Sequence, residues 1–184
     1  MNPPNPAHGA AATPKLVVVL GGECSGKTTL CQALASALGV PWVPEYLRQW
    51  CEHTGRTPDQ AEQRDIAAGQ LALTRRALRE ARSRSAQWVI SDGSVLLTAA
   101  YSIEYFDDHS LQAVALRQAR RVHLSVLLEP DIAWQADGHL RDGPARRASV
   151  HRTVERLLRE SALPHVRIGG SPAERVRDCL ALLR

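Results

Sequence analysis

Eight residues, Gly21-Gly22-Glu23-Cys24-Ser25-Gly26-Lys27-Thr28, fit the pattern G-x-x-x-x-G-K-[ST], and their flanks constrain the fold as much as their letters do. Before them runs Leu16-Val17-Val18-Val19-Leu20, a β-branched apolar run suited to a strand buried on both faces. After them Leu30, Ala33, Leu34, Ala37 and Leu38 recur at helical spacing on one face. Strand, glycine loop and helix, in that order, are the setting that a phosphate-binding P-loop requires. Its glycines let backbone N–H groups turn inward around an anion, and the positive end of the new helix faces the same point. The stretch from Gly21 through Thr29 is therefore the expected cradle for ATP. Lys27 is expected beside the β- and γ-phosphates, and the Thr28 hydroxyl on Mg²⁺.

Four further short apolar runs, at 41–44, 88–90, 122–128 and 164–168, alternate with amphipathic stretches. Thr57-Pro58-Asp59-Gln60 reads as a capping box opening a long helix, and Ser171-Pro172-Ala173-Glu174 as another opening the last one. Helices are also expected near 95–102 and 110–120, and 145–148 is expected in a polar connection. Five strands alternating with helices imply one α/β domain over 15–184, a parallel sheet covered on both faces. The first 14 residues hold four prolines and no basic residue, which predicts a disordered leader rather than a signal peptide.

No apolar run approaches the ~20 residues of a membrane span. The four cysteines form no C-x-x-C pair, which disfavours a zinc site or disulfide framework and fits a reducing cytoplasm. The net charge of +4 comes from arginines spread over several helices with few aromatics between them, which argues against a nucleic-acid groove.

In a parallel sheet, ligands bind beyond the carboxyl ends of the strands. That rule selects Gly21, Glu45, Asp92, Glu129 and Gly169 as rim positions. Asp92, at the end of an apolar strand, is either the acid that holds Mg²⁺ or a turn residue. Glu45 is either a base for an acceptor hydroxyl or the N-terminal acid of the next helix. Arg48, one helical turn on, could pair with Glu45, contact substrate or face solvent. The segment 137–147 sets Arg141, Arg146 and Arg147 around Gly138 and Gly143, as a lid over transferring phosphate or as a solvated loop. Tyr101, Tyr105, Phe106 and Trp134 fall in loop-like stretches, where they either stack on a flat substrate or pack helix ends.

These residues resemble the nicotinamide riboside kinase-like ATPases, the kinase domain of the bacterial bifunctional NAD-biosynthesis and regulatory proteins. The string from Gly22 to Leu30 looks like that family's P-loop, and Glu45-Tyr46-Leu47-Arg48 like its E-Y-x-R. Asp92 with Thr98 and Tyr101, and Asp131-Ile132-Ala133-Trp134-Gln135-Ala136-Asp137-Gly138, like its D-x-x-W-x-x-D-G, follow in order. The resemblance implies a three-layer P-loop NTPase fold, a five-stranded parallel sheet of order 2-3-1-4-5, and ATP-dependent phosphorylation of a ribosyl hydroxyl. It places Glu45, Tyr46, Arg48, Asp92, Tyr101, Trp134 and Asp137 at a nucleoside-like substrate and Arg141 near the phosphates. Ser94 stands where family members often carry a second acid, which reduces the acidic contact to substrate or Mg²⁺. No H-x-G-H pattern precedes Leu16, so adenylyl transfer is not carried over. Two other readings keep the P-loop: a kinase for another nucleoside or a nucleoside monophosphate, and an ATP-bound switch that hydrolyses slowly.

Overall fold

The computed structural model describes residues 13–135 and 143–184. Among them the chain runs β1 (Lys15–Leu20), α1 (Lys27–Leu38), β2 (Trp42–Val43), α2 (Tyr46–Thr54), α3 (Gln63–Ser83), β3 (Trp88–Asp92), α4 (Val95–Phe106) and α5 (Gln112–Ala119). It continues with β4 (Leu124–Leu128), α6 (Pro144–Glu160), β5 (His165–Ile168) and α7 (Pro172–Leu182). The strands form one parallel sheet of order β2-β3-β1-β4-β5.

The central strand shows why helices cover both faces. Val17 and Val19 pack with Leu30, Leu34 and Cys179 under α1 and α7. Val18 and Leu20, pointing the other way, pack with Leu96, Val154 and Leu158 of α4 and α6. All four are at most 1% exposed, and at about 1.5–3 kcal/mol per buried aliphatic side chain the run fixes the middle of the sheet. The register sets Val19 beside Asp92 and Leu128 beside Ile168, so the carboxyl ends of β1, β3, β4 and β5 form one rim.

Several boundaries move. The second strand is only Trp42–Val43, because Pro41 and Pro44 flank it and have no N–H to donate. The third extends to Asp92, so that acid belongs to the strand itself. The long helix begins at Gln63 rather than after Pro58. Its entry is held by a reciprocal pair two residues later in the chain: Glu62 N–H donates to Asp59 Oδ1 at 3.1 Å and Asp59 N–H to Glu62 Oε2 at 2.9 Å. The fourth helix runs through Phe106, which places Tyr101, Tyr105 and Phe106 on a helix rather than in a loop. Residues 145–148 are the first turn of α6, opened by Pro144, not a polar connection. The capping box at Ser171 forms as read. Residues 1–12 of the leader lie outside the described residues, and Pro14 is buried.

Candidate active site

The loop after β1 owes its shape to two glycines. Gly26 caps α1 at φ 82°, a left-handed conformation that side chains resist. Gly22 lies against α6: a Cβ there would stand 2.6 Å from the Arg147 carbonyl oxygen. Inside the loop, Ser25 Oγ donates to Gly22 O at 2.8 Å and Lys27 Nζ to the same oxygen at 3.1 Å. Both donors are buried, and Lys27 is 6% exposed. The ammonium thus rests on its own loop at the mouth of the phosphate cradle.

Asp92 brings the neighbouring strand into the site. Thr28 Oγ1 donates to Asp92 Oδ2 at 2.5 Å, which joins the two residues expected at Mg²⁺. Asp92 is 1% exposed, and its other oxygen, Oδ1, is buried without a hydrogen-bond partner among the described residues. A buried carboxylate oxygen left unsatisfied is costly, and it marks a place for a ligand, ion or water. No group of three or more His, Cys, Asp or Glu among the described residues could hold a metal alone.

Beside this pair the P-loop opens into a cavity of about 500 Å³. Gly26, Lys27 and Thr28 form one side; Glu45, Leu47, Arg48 and Cys51 form another; Tyr101, Tyr105 and Phe106 form a third. Glu45 reaches it because β2 ends next to β3, and α2 starts at the rim. Burial pushes the Glu45 carboxyl above its usual range; the Asp92 charge adds to this, and Lys27 and Arg48 oppose it. Burial also raises the Cys51 thiol to about 11, so it stays protonated at neutral pH.

Not every expected contact gathers there. The Tyr46 ring packs on α3, 2.2 Å from where a Cβ on Gly69 would stand, and Tyr46 N–H donates to Gln70 Oε1 at 2.8 Å. It supports α2 from behind and does not line the cavity. Trp134 lies on the other flank of the P-loop, its indole N–H buried without a partner among the described residues. Its neighbours hold Cys24: Gln135 N–H donates to Cys24 Sγ at 3.4 Å, and the thiol approaches Ala133 O at 3.7 Å. Asp137 and Arg141 lie outside the described residues. Arg146 and Arg147 are docked on a helix instead of sitting in a solvated loop. Arg146 Nη1 donates to Glu104 O at 2.7 Å and its guanidinium lies 4.6 Å over the Tyr105 ring. Arg147 Nη1 donates to Ile132 O at 2.7 Å. Ser94 caps α4, its hydroxyl accepting from Leu96 N–H at 3.2 Å.

One residue escaped the sequence reading. Arg175, in α7 and 2% exposed, donates to Ser25 O at 2.5 Å, Gly170 O at 2.9 Å and Glu129 O at 3.2 Å. Its guanidinium also pairs with Asp131. Burial works against the Asp131 carboxylate, but the Gly170 N–H and the Arg175 charge outweigh it and hold its pKa below the usual range. The fork ties the P-loop to the ends of β4 and β5. The one available signal was negative: an arginine next to Val176 in an otherwise ordinary amphipathic helix.

With this geometry in view, comparison with known proteins is informative. The sequence profile of the AAA domain family matches residues 16–175. The chain belongs to the AAA domain family. A solved NadR protein in complex with NR is 23% identical with a TM-score of 0.69, over 86% of this chain and 44% of that one. A NadR protein in complex with NAD and AMP-PNP is 20% identical with a TM-score of 0.76, over 94% of this chain and 50% of that one. A thymidylate kinase from Ehrlichia chaffeensis is 15% identical with a TM-score of 0.68, over 94% of this chain and 99% of that one. This AAA-family chain therefore has a kinase-type P-loop fold, and it spans about half the length of the NadR chains it matches. No curated protein sequence matches it.

Proposed function

We infer that the protein is an ATP-dependent small-molecule kinase that transfers the γ-phosphoryl group to a ribosyl hydroxyl, with nicotinamide riboside or a related nucleoside as acceptor. The observation that carries this reading is the cavity of about 500 Å³ that shares its wall between Lys27 and Thr28 on one side and Glu45 and Arg48 on the other. A site built only to hold ATP needs no carboxylate across the cavity from the phosphate cradle. The solved NadR complexes with NR and with AMP-PNP support both halves of the reading.

The roles follow from the residues. Backbone N–H groups of the P-loop and the N-terminus of α1 orient the triphosphate, and Lys27 moves from Gly22 O to the β- and γ-phosphate oxygens. Thr28 and Asp92 fit Mg²⁺, since hard oxygen donors lie together and Asp92 Oδ1 lacks a partner among the described residues. The ion, when bound, supplies charge neutralisation at the phosphates. Glu45 accepts the proton of the acceptor hydroxyl; its raised pKa brings its basicity closer to neutral pH, where a general base works best. Arg48 contacts the acceptor, and Tyr101, Tyr105 and Phe106 offer ring faces to a flat base.

A second acceptor class has its own support. The thymidylate kinase likeness covers nearly all of that chain, and Arg48 in the cavity suits the phosphate of a nucleoside monophosphate. The deciding experiment incubates the protein with Mg-ATP and a panel of nucleosides and nucleoside monophosphates, following ADP release and the phosphorylated product by mass spectrometry. A kinase couples ADP release to one acceptor. Slow, acceptor-independent hydrolysis would replace this reading with that of a nucleotide switch.

A further inference from the structure

A second cavity, about 390 Å³, lies on the same face of the sheet as α3, α4 and α5 but is separate from the P-loop chamber. Leu16 and Val18 form its floor, Leu71 and Leu78 of α3 one wall, and Ala115 and Ala119 of α5 the other. Leu16, Leu71, Leu78 and Ala119 remain partly exposed, so the trough is apolar and open to water. Its rim is different in kind. Arg75, Arg79, Arg82 and Arg121 border it, all exposed, and no Asp or Glu among the described residues lines it.

None of the four has an ion pair among the described residues. The one carboxylate in the second half of α3, Glu80, is engaged by Arg84 at 2.9 Å. Helix α5 contains no acid at all. Residues 1–12, which precede the stretch at the trough's edge, contain no Asp or Glu either, so the chain's own leader lacks the complementary charge. Arginine stems can cover apolar surface on their own. Stems alone leave four like charges along one trough without an acidic partner among the described residues.

We propose that this trough is a binding site for a small amphipathic anion, a carboxylate on a medium-length hydrocarbon chain. The chain displaces water from the floor between α3 and α5, and the carboxylate meets the guanidinium forks of Arg79 and Arg82. The cavity is within the range of small-molecule sites, and a carboxylate on arginine gives charge-assisted hydrogen bonds that a neutral head group does not. The inference is independent of the phosphoryl-transfer reading, because no residue of the P-loop chamber lines the trough.

The test uses the full chain and three probes: decanoate, decan-1-ol and butyrate. Each is titrated against bound 1-anilinonaphthalene-8-sulfonate fluorescence and by calorimetry, with and without Mg-ATP. One saturable decanoate site is expected, at least about tenfold tighter than decan-1-ol, which loses a charge-assisted bond, and than butyrate, which loses the methylenes that cover the floor. The double variant Arg79→Gln, Arg82→Gln is expected to weaken it by about tenfold or more. Ala119→Phe, which fills the trough, is expected to remove it. Both arginines are exposed, so the double variant keeps its fold, and thermal melts check this even if Ala119→Phe does not fold. Four results would each overturn the proposal: no saturable decanoate binding, equal affinity for decan-1-ol, insensitivity to the arginine pair, or displacement by Mg-ATP, which would put the anion at the P-loop.

Discussion

The two flanks of the P-loop are built on opposite plans. On the α7 side the charged groups have their partners, although the Trp134 indole N–H is buried without one among the described residues: Arg175 reaches three backbone carbonyls and Asp131, Asp131 also accepts from Gly170 N–H, and Arg147 reaches Ile132 O. On the α2 side the groups are held in tension. Asp92 Oδ1 has no partner among the described residues, Lys27 rests on its own loop, and burial pushes Glu45 above its usual pKa. A flank whose charges are paired and forked onto backbone carbonyls braces the cradle. A flank with buried groups left unsatisfied is organised for something that arrives later, and at functional sites such groups are kept despite their cost. Changes on the first flank should therefore act on stability, and changes on the second on chemistry.

The largest effect is expected at Lys27, which belongs to the chemical flank. Lys27→Ala should lower phosphoryl transfer by at least about a hundredfold, while the melting temperature changes little. Steady-state ADP release and a thermal melt on the same sample check both halves. Near-normal turnover would remove the P-loop from the mechanism.

The braced flank should answer in the other currency. Arg175→Met strands three carbonyls and removes the ion pair of Asp131, which keeps its Gly170 N–H, and should cost about 3 kcal/mol in urea unfolding. Some Mg-ATP affinity should go with it, because Ser25 O loses its anchor. A variant as stable as the parent would show that the fork is not a brace.

The pH dependence sharpens the contrast at Glu45. Its carboxyl is raised in the fold, so with rising pH the unfolded chain releases this proton first, near the usual carboxylate pKa of about 4.3. The folded state then loses stability as pH climbs through the raised value. Without nucleotide, Glu45→Gln should melt above the parent at about pH 8, and the gap should close near pH 4, below the unfolded value. A gap that does not change with pH would mean that Glu45 is not strained.

A smaller effect is expected where α6 meets the P-loop cavity. Arg146 lies over the Tyr105 ring, and Tyr105 lines the cavity. Arg146→Ala should raise the acceptor KM a few-fold, the scale of one cation–π contact, with kcat and Mg-ATP affinity unchanged. Loss of kcat instead would assign Arg146 to the phosphates.

How much of this was legible in the sequence depended on whether a residue's partners are local. The P-loop, the capping box at Ser171 and the five strands are set by neighbours a few positions away, and they were readable. The sheet order came from the family resemblance. Arg175 was not readable: its partner Ser25 is 150 positions distant, and an arginine on an amphipathic helix looks like surface. Residues 145–148 hid for a related reason. No apolar period begins before Val150, and that turn is helical through Pro144 at its start and the docking of Arg146 and Arg147. Tyr46 sits within a motif-like string, yet a helix places adjacent residues on different faces, so Glu45 and Arg48 meet the cavity while Tyr46 meets Gly69.

The central claim is the division of labour between the two carboxylates of the chemical flank. The most direct measurement is Mg-ATP affinity and acceptor turnover, side by side, for Asp92→Asn and Glu45→Gln. Asp92→Asn should weaken Mg-ATP binding and depress every phosphate-linked activity, including acceptor-free hydrolysis. Glu45→Gln should bind Mg-ATP as the parent does and phosphorylate the acceptor at least about a hundredfold more slowly. Equal loss of Mg-ATP affinity in the two variants, or normal acceptor phosphorylation by Glu45→Gln, would contradict the account.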